Sequence, residues 1–200
     1  MARARKYSRQ DVNDILYASE RRLSPVSGER GHALEKHVGV GGLQISDRLR
    51  GTLTTSTTRP LVMDEFGKVR PEAEHRDIWR RLTPGSTTKQ LKQDFRTNIE
   101  NFVSRSGSFI DLQQAIIVGK YVLNCQEGQA ALAKLDQGLE NRVAVTVSMH
   151  SLEWTQGAWK MNFASRENDI THEEEFGKAF MLIDKLDLDQ IHIQTFFPLK

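Results

Sequence analysis

The hydrophobic period of this chain changes at Asn141, and any fold open to it has to respect that order. Before that point apolar residues recur at helical intervals: Val12, Ile15, Leu16 and Leu23; then Leu91, Phe95, Ile99, Phe102 and Val103; then Leu112, Ala115, Ile116, Val122 and Leu123. After it, Val143, Val145 and Val147 alternate with Ala144, Thr146 and Ser148, the period of a strand with one buried face. Ala158 to Phe163 reads as another strand. Ala179 to Ile183 and Ile191 to Phe197, joined through Asp184 to Asp189, read as a closing hairpin.

Polar residues mark where the helices begin. Ser8 with Asp11 three residues on has capping-box spacing, as does Ser108 with Asp111, and Thr87 or Thr88 is placed to cap the Leu91 helix. Pro25, Ser27 and Gly28 end the first helix. Gln129 to Leu139 reads as one more short helix.

Composition limits how such a fold is held. Two hundred residues suffice for one domain with a sizeable core, or a domain with an appendage. The lone cysteine, Cys125, allows no internal disulfide, so packing has to carry the stability. No apolar run approaches a membrane span, and the basic N-terminus lacks the apolar segment of a signal peptide. If the chain is exported, its signal lies elsewhere or it is cut from something larger. The net charge of +2 is unevenly spread: residues 1–100 hold 19 Lys and Arg against 13 Asp and Glu, and residues 101–200 hold 9 against 13. A basic half suits a polyanionic ligand, and ordinary charge scatter explains it equally well.

The chemistry concentrates in Gly31 to Arg50. A short helix carrying Leu34, Lys36 and His37 should stop at Gly39, Gly41 and Gly42, with a second running through Leu43, Ile45, Arg48 and Leu49. That fold-back could bring His37 and Arg48 together. The Gly39 to Gly42 run is a turn rather than a phosphate loop, because no Gly-Lys-Ser/Thr follows it. His37 is suited to general acid or base work, since imidazole titrates nearest neutrality, and equally to capping a helix end. Arg48 offers a permanent charge and a planar fork for two phosphate oxygens, or a plain surface arginine. His32 lies five residues before His37, about 140° around a helix, so no shared metal face follows.

Elsewhere the ordinary reading prevails. His75, amid charges, reads as a surface residue. His150 ends a strand without a partner, and His172 beside Glu173, Glu174 and Glu175 lies in a solvated loop with no recognisable metal set. Trp154 and Trp159 read as packing anchors. Lys89, Lys92 and Arg96 could contact a nucleic-acid backbone, or simply be solvated. Thr52 to Thr58 is strand or loop.

Gly31-His32, Lys36-His37-Val38-Gly39, Leu43 and Arg48-Leu49 together resemble the opening of the ribonuclease A-like toxin domains found at the C-termini of bacterial contact-dependent inhibition and other polymorphic toxin proteins. Ser108-Phe109-Ile110-Asp111 is similar to that family's Ser-Thr-Phe-Thr-Asp region. Ile193-Gln194-Thr195-Phe196-Phe197-Pro198 resembles its closing strand, which ends in Thr-x-aromatic-Pro. Strand alternation puts Ile193, Thr195 and Phe197 on one face, with His192, Gln194 and Phe196 on the other. Some members of the family carry tyrosine where this chain has Phe197, so a phenolic donor is missing here.

The resemblance implies an α+β fold, with N-terminal helices packed on a curved antiparallel sheet, ribonuclease A-like but without disulfides. It implies a domain over 29–200 with an insertion around 51–106, preceded by a helix or linker over 1–28. It further implies a metal-independent endoribonuclease using no cofactor, with His37, Arg48 and Thr195 catalytic and His32, Phe197 and Ser108 as further lining. The partners implied are RNA and a cognate immunity protein, acidic if it covers a basic cleft, with the chain otherwise monomeric. The role implied is that of an antibacterial toxin delivered into the cytoplasm of a target cell. A non-catalytic RNA-binding or protein-interaction module is the competing class.

Overall fold

A computed structural model describes residues 5–41, 44–45, 49, 59, 61–65, 69–100, 105–150, 152, 158–165, 171–186 and 190–200. The chain divides into two compact units, one of residues 1–41, 107–162 and 173–200, the other of 42–106 and 163–172. The fold is α+β, with two three-stranded sheets among the described residues.

The first unit opens with α1 (Arg9–Arg21), which starts where Ser8 caps it. Asp11 N donates to Ser8 Oγ at 3.1 Å, and Ser8 N donates back to Asp11 Oδ2 at 2.7 Å. Val12 and Leu16 are fully buried, but Leu23 lies beyond the end of α1 and is exposed. The helix stops at Arg21, ahead of the proline. Residues 22–31 then turn back through Gly28, whose φ of 71° suits a residue without Cβ, and Leu23 bridges Arg30.

Next comes the short helix α2 (Ala33–His37). In the second unit, α3 (Glu72–Leu82) and α4 (Thr88–Glu100) pack on each other. Their core is Leu61, Trp79 and Leu91, flanked by Met63, Val69, Ile78 and Phe95. Thr87 caps α4: its hydroxyl accepts from Gln90 N at 3.2 Å, and Gln90 Oε1 accepts from Thr87 N at 3.0 Å. Leu91 is buried and Ile99 is exposed; Phe102, Val103 and Thr52 to Thr58 lie outside the described residues.

His75 is fully buried here rather than on the surface. Its Nε2 accepts from Val62 N at 2.8 Å and its Nδ1 faces Pro71 O at 3.1 Å, so the two bonds together select the Nδ1–H tautomer. The charged neighbours turn outward while the imidazole packs on Trp79 and Phe95. Arg59 ties the same unit together, donating to Thr83, Ser86 and the Asp94 carboxylate.

β1 (Arg105–Phe109) contains Ser108, so Ser108 does not open a helix. The helix that follows, α5 (Leu112–Asn124), is capped by Asp111, whose carboxylate accepts from Gln114 N at 2.7 Å, while Gln114 Oε1 accepts from Ile110 N. A cap one helical turn further on has displaced the one read from Ser108. α6 (Gln126–Asp136) completes the helices.

The main sheet orders β2 (Arg142–Ser148), β5 (Lys178–Lys185) and β6 (Ile191–Leu199), all antiparallel, with a crossover from β2 to β5 and β5–β6 forming the closing hairpin. Val143, Val145 and Val147 are buried, alternating with exposed neighbours. α6 lies against β2 and α1 against β6. Gly119 of α5 lets Val12 and Phe196 close in: a Cβ there would stand 2.9 Å from Val12 Cγ1 and 3.4 Å from Phe196 Cε1. The second sheet orders β1, β3 (Lys160–Ser165) and β4 (His172–Glu175). The acidic run is therefore a strand, with only Glu174 of its glutamates partly covered, and not the loop its charge predicts.

Candidate active site

His37 ends α2, and its ring lies among Gly107, Phe197 and His32. Nδ1 lies 3.1 Å from the carbonyl oxygen of Gly107, an acceptor only, so Nδ1 carries a proton and the basic nitrogen of the neutral ring is Nε2. The ring meets Phe197 at 5.0 Å between centroids and His32 at 6.1 Å. Phe197 in turn lies against Phe180, also at 5.0 Å. Gly107 keeps this approach close: a Cβ there would stand 3.1 Å from Met161 Sδ and 3.3 Å from Pro198 O, so each would have to give by a few tenths of an ångström.

The backbone after His37 is tied to β1. Val38 bridges Phe109 in parallel, Gly39 N donates to Phe109 O at 2.9 Å, and Gly39 itself has a φ of 63°. Ser108 supports this turn from beneath. It is fully buried, accepts from Val40 N at 3.2 Å and donates to Phe109 O at 3.0 Å.

His32 sits at the cap of α2 with a non-helical backbone, φ −139° and ψ 27°. The helical rotation between His32 and His37 therefore does not apply, and their rings can approach. His32 supplies no side-chain cap. That role falls to Glu20, whose carboxylate accepts from Leu34 N at 2.7 Å and from Glu35 N at 3.4 Å. Desolvation raises the Glu20 carboxyl above its ordinary value, against the two backbone donors that lower it. Nothing in the sequence marked Glu20.

Thr195 lies on β6 with its hydroxyl buried and, among the described residues, without a hydrogen-bond partner. The faces of β6 differ from simple alternation because the ladder is bulged. Phe180 pairs with Phe197, Leu182 with Thr195 and Asp184 with His192, whereas Ile183 pairs with Ile193 and Met181 with Phe196. Opposed residues share a face, so Thr195 and Phe197 face together, as the motif read, but His192 joins them and Ile193 does not. Gln194 is the extra residue.

His192 is fully buried, and neither ring nitrogen has a partner among the described residues. Desolvation holds it below its ordinary value, with the Asp184 carboxylate acting the other way. On Asp184, burial works to raise the carboxyl, but bonds from Arg142 and Ser24 outweigh it and hold the group low.

Arg48 and Leu43 lie outside the described residues; Ile45 and Leu49 are helical and buried. Trp159 is buried and donates to Leu152 O at 2.8 Å, while Trp154 lies outside the described residues. His150 is exposed, and His172 lies edge-on to Phe163. Among the described residues no group of three or more His, Cys, Asp or Glu could hold a metal, and no helix is long and apolar enough to cross a membrane.

No protein-family model matches this chain, and no curated protein sequence matches it. One solved structure that is similar is a chain of a CdiA-CT/CdiI complex from Y. kristensenii, at 16% identity and a TM-score of 0.36, covering 66% of this chain and 92% of that one. A likeness of that size fixes neither the fold nor the activity of this chain.

Proposed function

We propose that this chain is a metal-independent endoribonuclease acting as an antibacterial toxin, its nuclease domain running over 29–200 with an insertion around 51–106. The observation that carries the reading is the setting of His37. An imidazole pinned through Nδ1 to a backbone carbonyl, with its basic nitrogen on the opposite edge, is what a general base requires. A flat aromatic wall in Phe197 and an unspent hydroxyl on Thr195, on the same face of β6, supply a surface for a base and a donor for a phosphoryl oxygen. The sequence resemblance through Gly31-His32, Lys36 to Gly39 and Ile193 to Pro198 points the same way.

In this reading His37 Nε2 takes the proton of the RNA 2′-hydroxyl, and that oxygen attacks phosphorus. The bond from phosphorus to the 5′-oxygen breaks, leaving a 2′,3′-cyclic phosphate and a 5′-hydroxyl. Arg48 and Thr195 stabilise the charge that develops on the non-bridging oxygens. His32, 6.1 Å from His37 between ring centroids, is the candidate to protonate the departing 5′-oxygen. Phe197 walls the cleft and Ser108 holds the turn behind His37. The toxin reading brings with it an acidic cognate immunity protein covering the basic cleft and delivery into the target cell's cytoplasm.

The test is incubation of the wild-type protein and His37→Ala with total bacterial RNA in excess EDTA, followed by end-group analysis. Cleavage by wild type alone, leaving cyclic phosphate ends, is the expected result. Intact RNA with both proteins would move the chain to a non-catalytic RNA-binding or interaction module.

A further inference from the structure

The bulge on β6 does more than relax a strand. Leu182 and Ile183 are consecutive on β5, yet they pair with Thr195 and Ile193, so Gln194 has no partner across the ladder. An inserted residue of this kind turns the chain on one side of it to the opposite face. Without it, alternation from Ile193 would put Thr195 on the same face as Ile193, opposite the face that its present partner Leu182 occupies.

Gln194 is itself fastened at three points, all to the segment that launches α2. Its carbonyl oxygen accepts from His32 N at 3.1 Å. Its side-chain Oε1 accepts from Ser27 Oγ at 3.0 Å, and its Nε2 donates to Arg30 O at 3.0 Å. Beside it, Ser19 Oγ accepts from Ile193 N and Ser19 O accepts from Gly31 N, both at 2.9 Å. One nearly buried residue, directly before Thr195, is thus tied by its side-chain amide to Ser27 and Arg30 and by its backbone carbonyl to His32 at the cap of the His37 helix.

We propose that Gln194 is a positioning residue of the His37 site: through the bulge and its bonds to Ser27, Arg30 and His32 it sets Thr195 on the face of β6 that carries Phe197 and fixes where the His32–His37 segment begins. It touches no substrate. The inference rests on the nuclease reading for its catalytic consequence, but the positioning itself has a readout without catalysis. A primary amide suits the role because one side chain must both accept from a hydroxyl and donate to a carbonyl.

The experiment compares wild type, Gln194→Ala, Gln194→Glu and Ser27→Ala, using the full chain. Imidazole chemical shifts of His37 and hydrogen exchange of the His32 amide are measured first, then kcat and KM on a ribodinucleotide in EDTA. In Gln194→Ala the His37 shifts move, the His32 amide exchanges about tenfold faster, and kcat falls by about 10- to 100-fold with KM nearly unchanged, as a small misplacement of catalytic groups predicts. Gln194→Glu, which keeps the acceptor for Ser27 but sets a carboxylate oxygen against Arg30 O in a nearly buried site, falls at least as far. A merely structural residue would lower stability and leave the His37 shifts and kcat of the folded protein alone, which would overturn the proposal. If Gln194→Ala does not fold, Ser27→Ala decides, with smaller changes in the same direction expected and wild-type values overturning it. If wild type cuts no RNA, the nuclease reading fails, and the His37 shifts still decide whether Gln194 positions that ring.

Discussion

His192 stands directly opposite Asp184 on the β5–β6 ladder, fully buried, yet donates no hydrogen bond to it. The carboxylate is already engaged: Arg142 donates Nε to Oδ1 at 2.5 Å and a terminal nitrogen to Oδ2 at 2.8 Å, and Ser24 Oγ donates to Oδ2 at 2.5 Å. An imidazole beside a spent carboxylate, with Arg22 and Arg142 also nearby, is held neutral.

That neutrality gives stability a pH dependence. Burial lowers His192 below its ordinary value of 6.5, so between those two values the unfolded chain binds more protons than the folded one. Stability is therefore full above pH 6.5 and declines as pH falls towards the depressed folded value. Asp184, held below its ordinary 3.8, adds a second loss once pH drops below that value. Urea midpoints measured from pH 8 to pH 4 should fall in the first window for wild type. The decline should be shallower for His192→Gln, and an equal slope in both would remove His192 as its source.

Removing the carboxylate should be felt at neutral pH. Asp184→Ala leaves Ser24 Oγ without its acceptor in a buried site, while Arg142, 37% exposed in its side chain, can turn to water. The expected loss is about 2 kcal/mol, less than the full loss of a buried pair because one partner regains solvent. Chemical denaturation of Asp184→Ala beside Arg142→Ala checks it, with Arg142→Ala expected to lose less than Asp184→Ala.

Gly31→Ala tests the approach of α1, the 22–31 turn and β6. A Cβ at Gly31 would stand 2.5 Å from Ile193 O and 3.0 Å from Ser19 Cβ. The first contact is with backbone and cannot be relieved by a rotamer change, so the strand or the turn must move. A loss of about 2 to 4 kcal/mol is expected. A thermal midpoint unchanged from wild type would mean that the turn accommodates the methyl group.

The sequence disclosed local relationships and concealed distant ones. Ser8 and Asp11 are neighbours whose capping box depends on nothing else, and it formed as their spacing indicates. The β5–β6 hairpin followed from alternation, but alternation counts residues two by two and cannot register one that is inserted. The position of Gln194 depends on Ser27, Arg30 and His32, over 160 residues away in the chain, so the face of His192 was misread. Ser108 misled for a different reason: Ser-x-x-Asp is a capping pattern, but Asp111 is itself the cap, and Gln114 reaches back to Ile110 N, the residue before it. His75 looked exposed because its sequence neighbours are charged, while the groups that bury it and bond it, Phe95 and Val62 N, lie elsewhere.

Phe197 links the aromatic wall to His37. Its ring is 5.0 Å from both His37 and Phe180, and Phe197→Leu removes both ring contacts while leaving the strand apolar. Aromatic pairs contribute about 0.5 to 1.5 kcal/mol each beyond area, so a stability loss of about 1 to 2 kcal/mol is expected. The ring of His37 loses one of its supports, and kcat on a ribodinucleotide should fall about tenfold. Stability lost with kcat retained would show Phe197 to be packing alone.

In the proposed reaction the nucleophile belongs to the substrate, and this separates binding from chemistry without altering the protein. A ribo-oligonucleotide with one 2′-deoxy residue presents the same phosphates and bases but has no hydroxyl for His37 Nε2 to deprotonate at that position. Phosphate contacts supply most of the affinity of a basic protein for a single strand, and they are preserved. The substituted strand should therefore resist cleavage 3′ to the deoxy residue while competing with the all-ribo strand at nearly its own KM. Cutting at that phosphate would require an external nucleophile such as water, and would displace the 2′-hydroxyl mechanism even if His37→Ala were inactive. Failure to compete would place the 2′-hydroxyl in recognition as well as chemistry, with Thr195, whose hydroxyl has no partner among the described residues, as the first group to substitute.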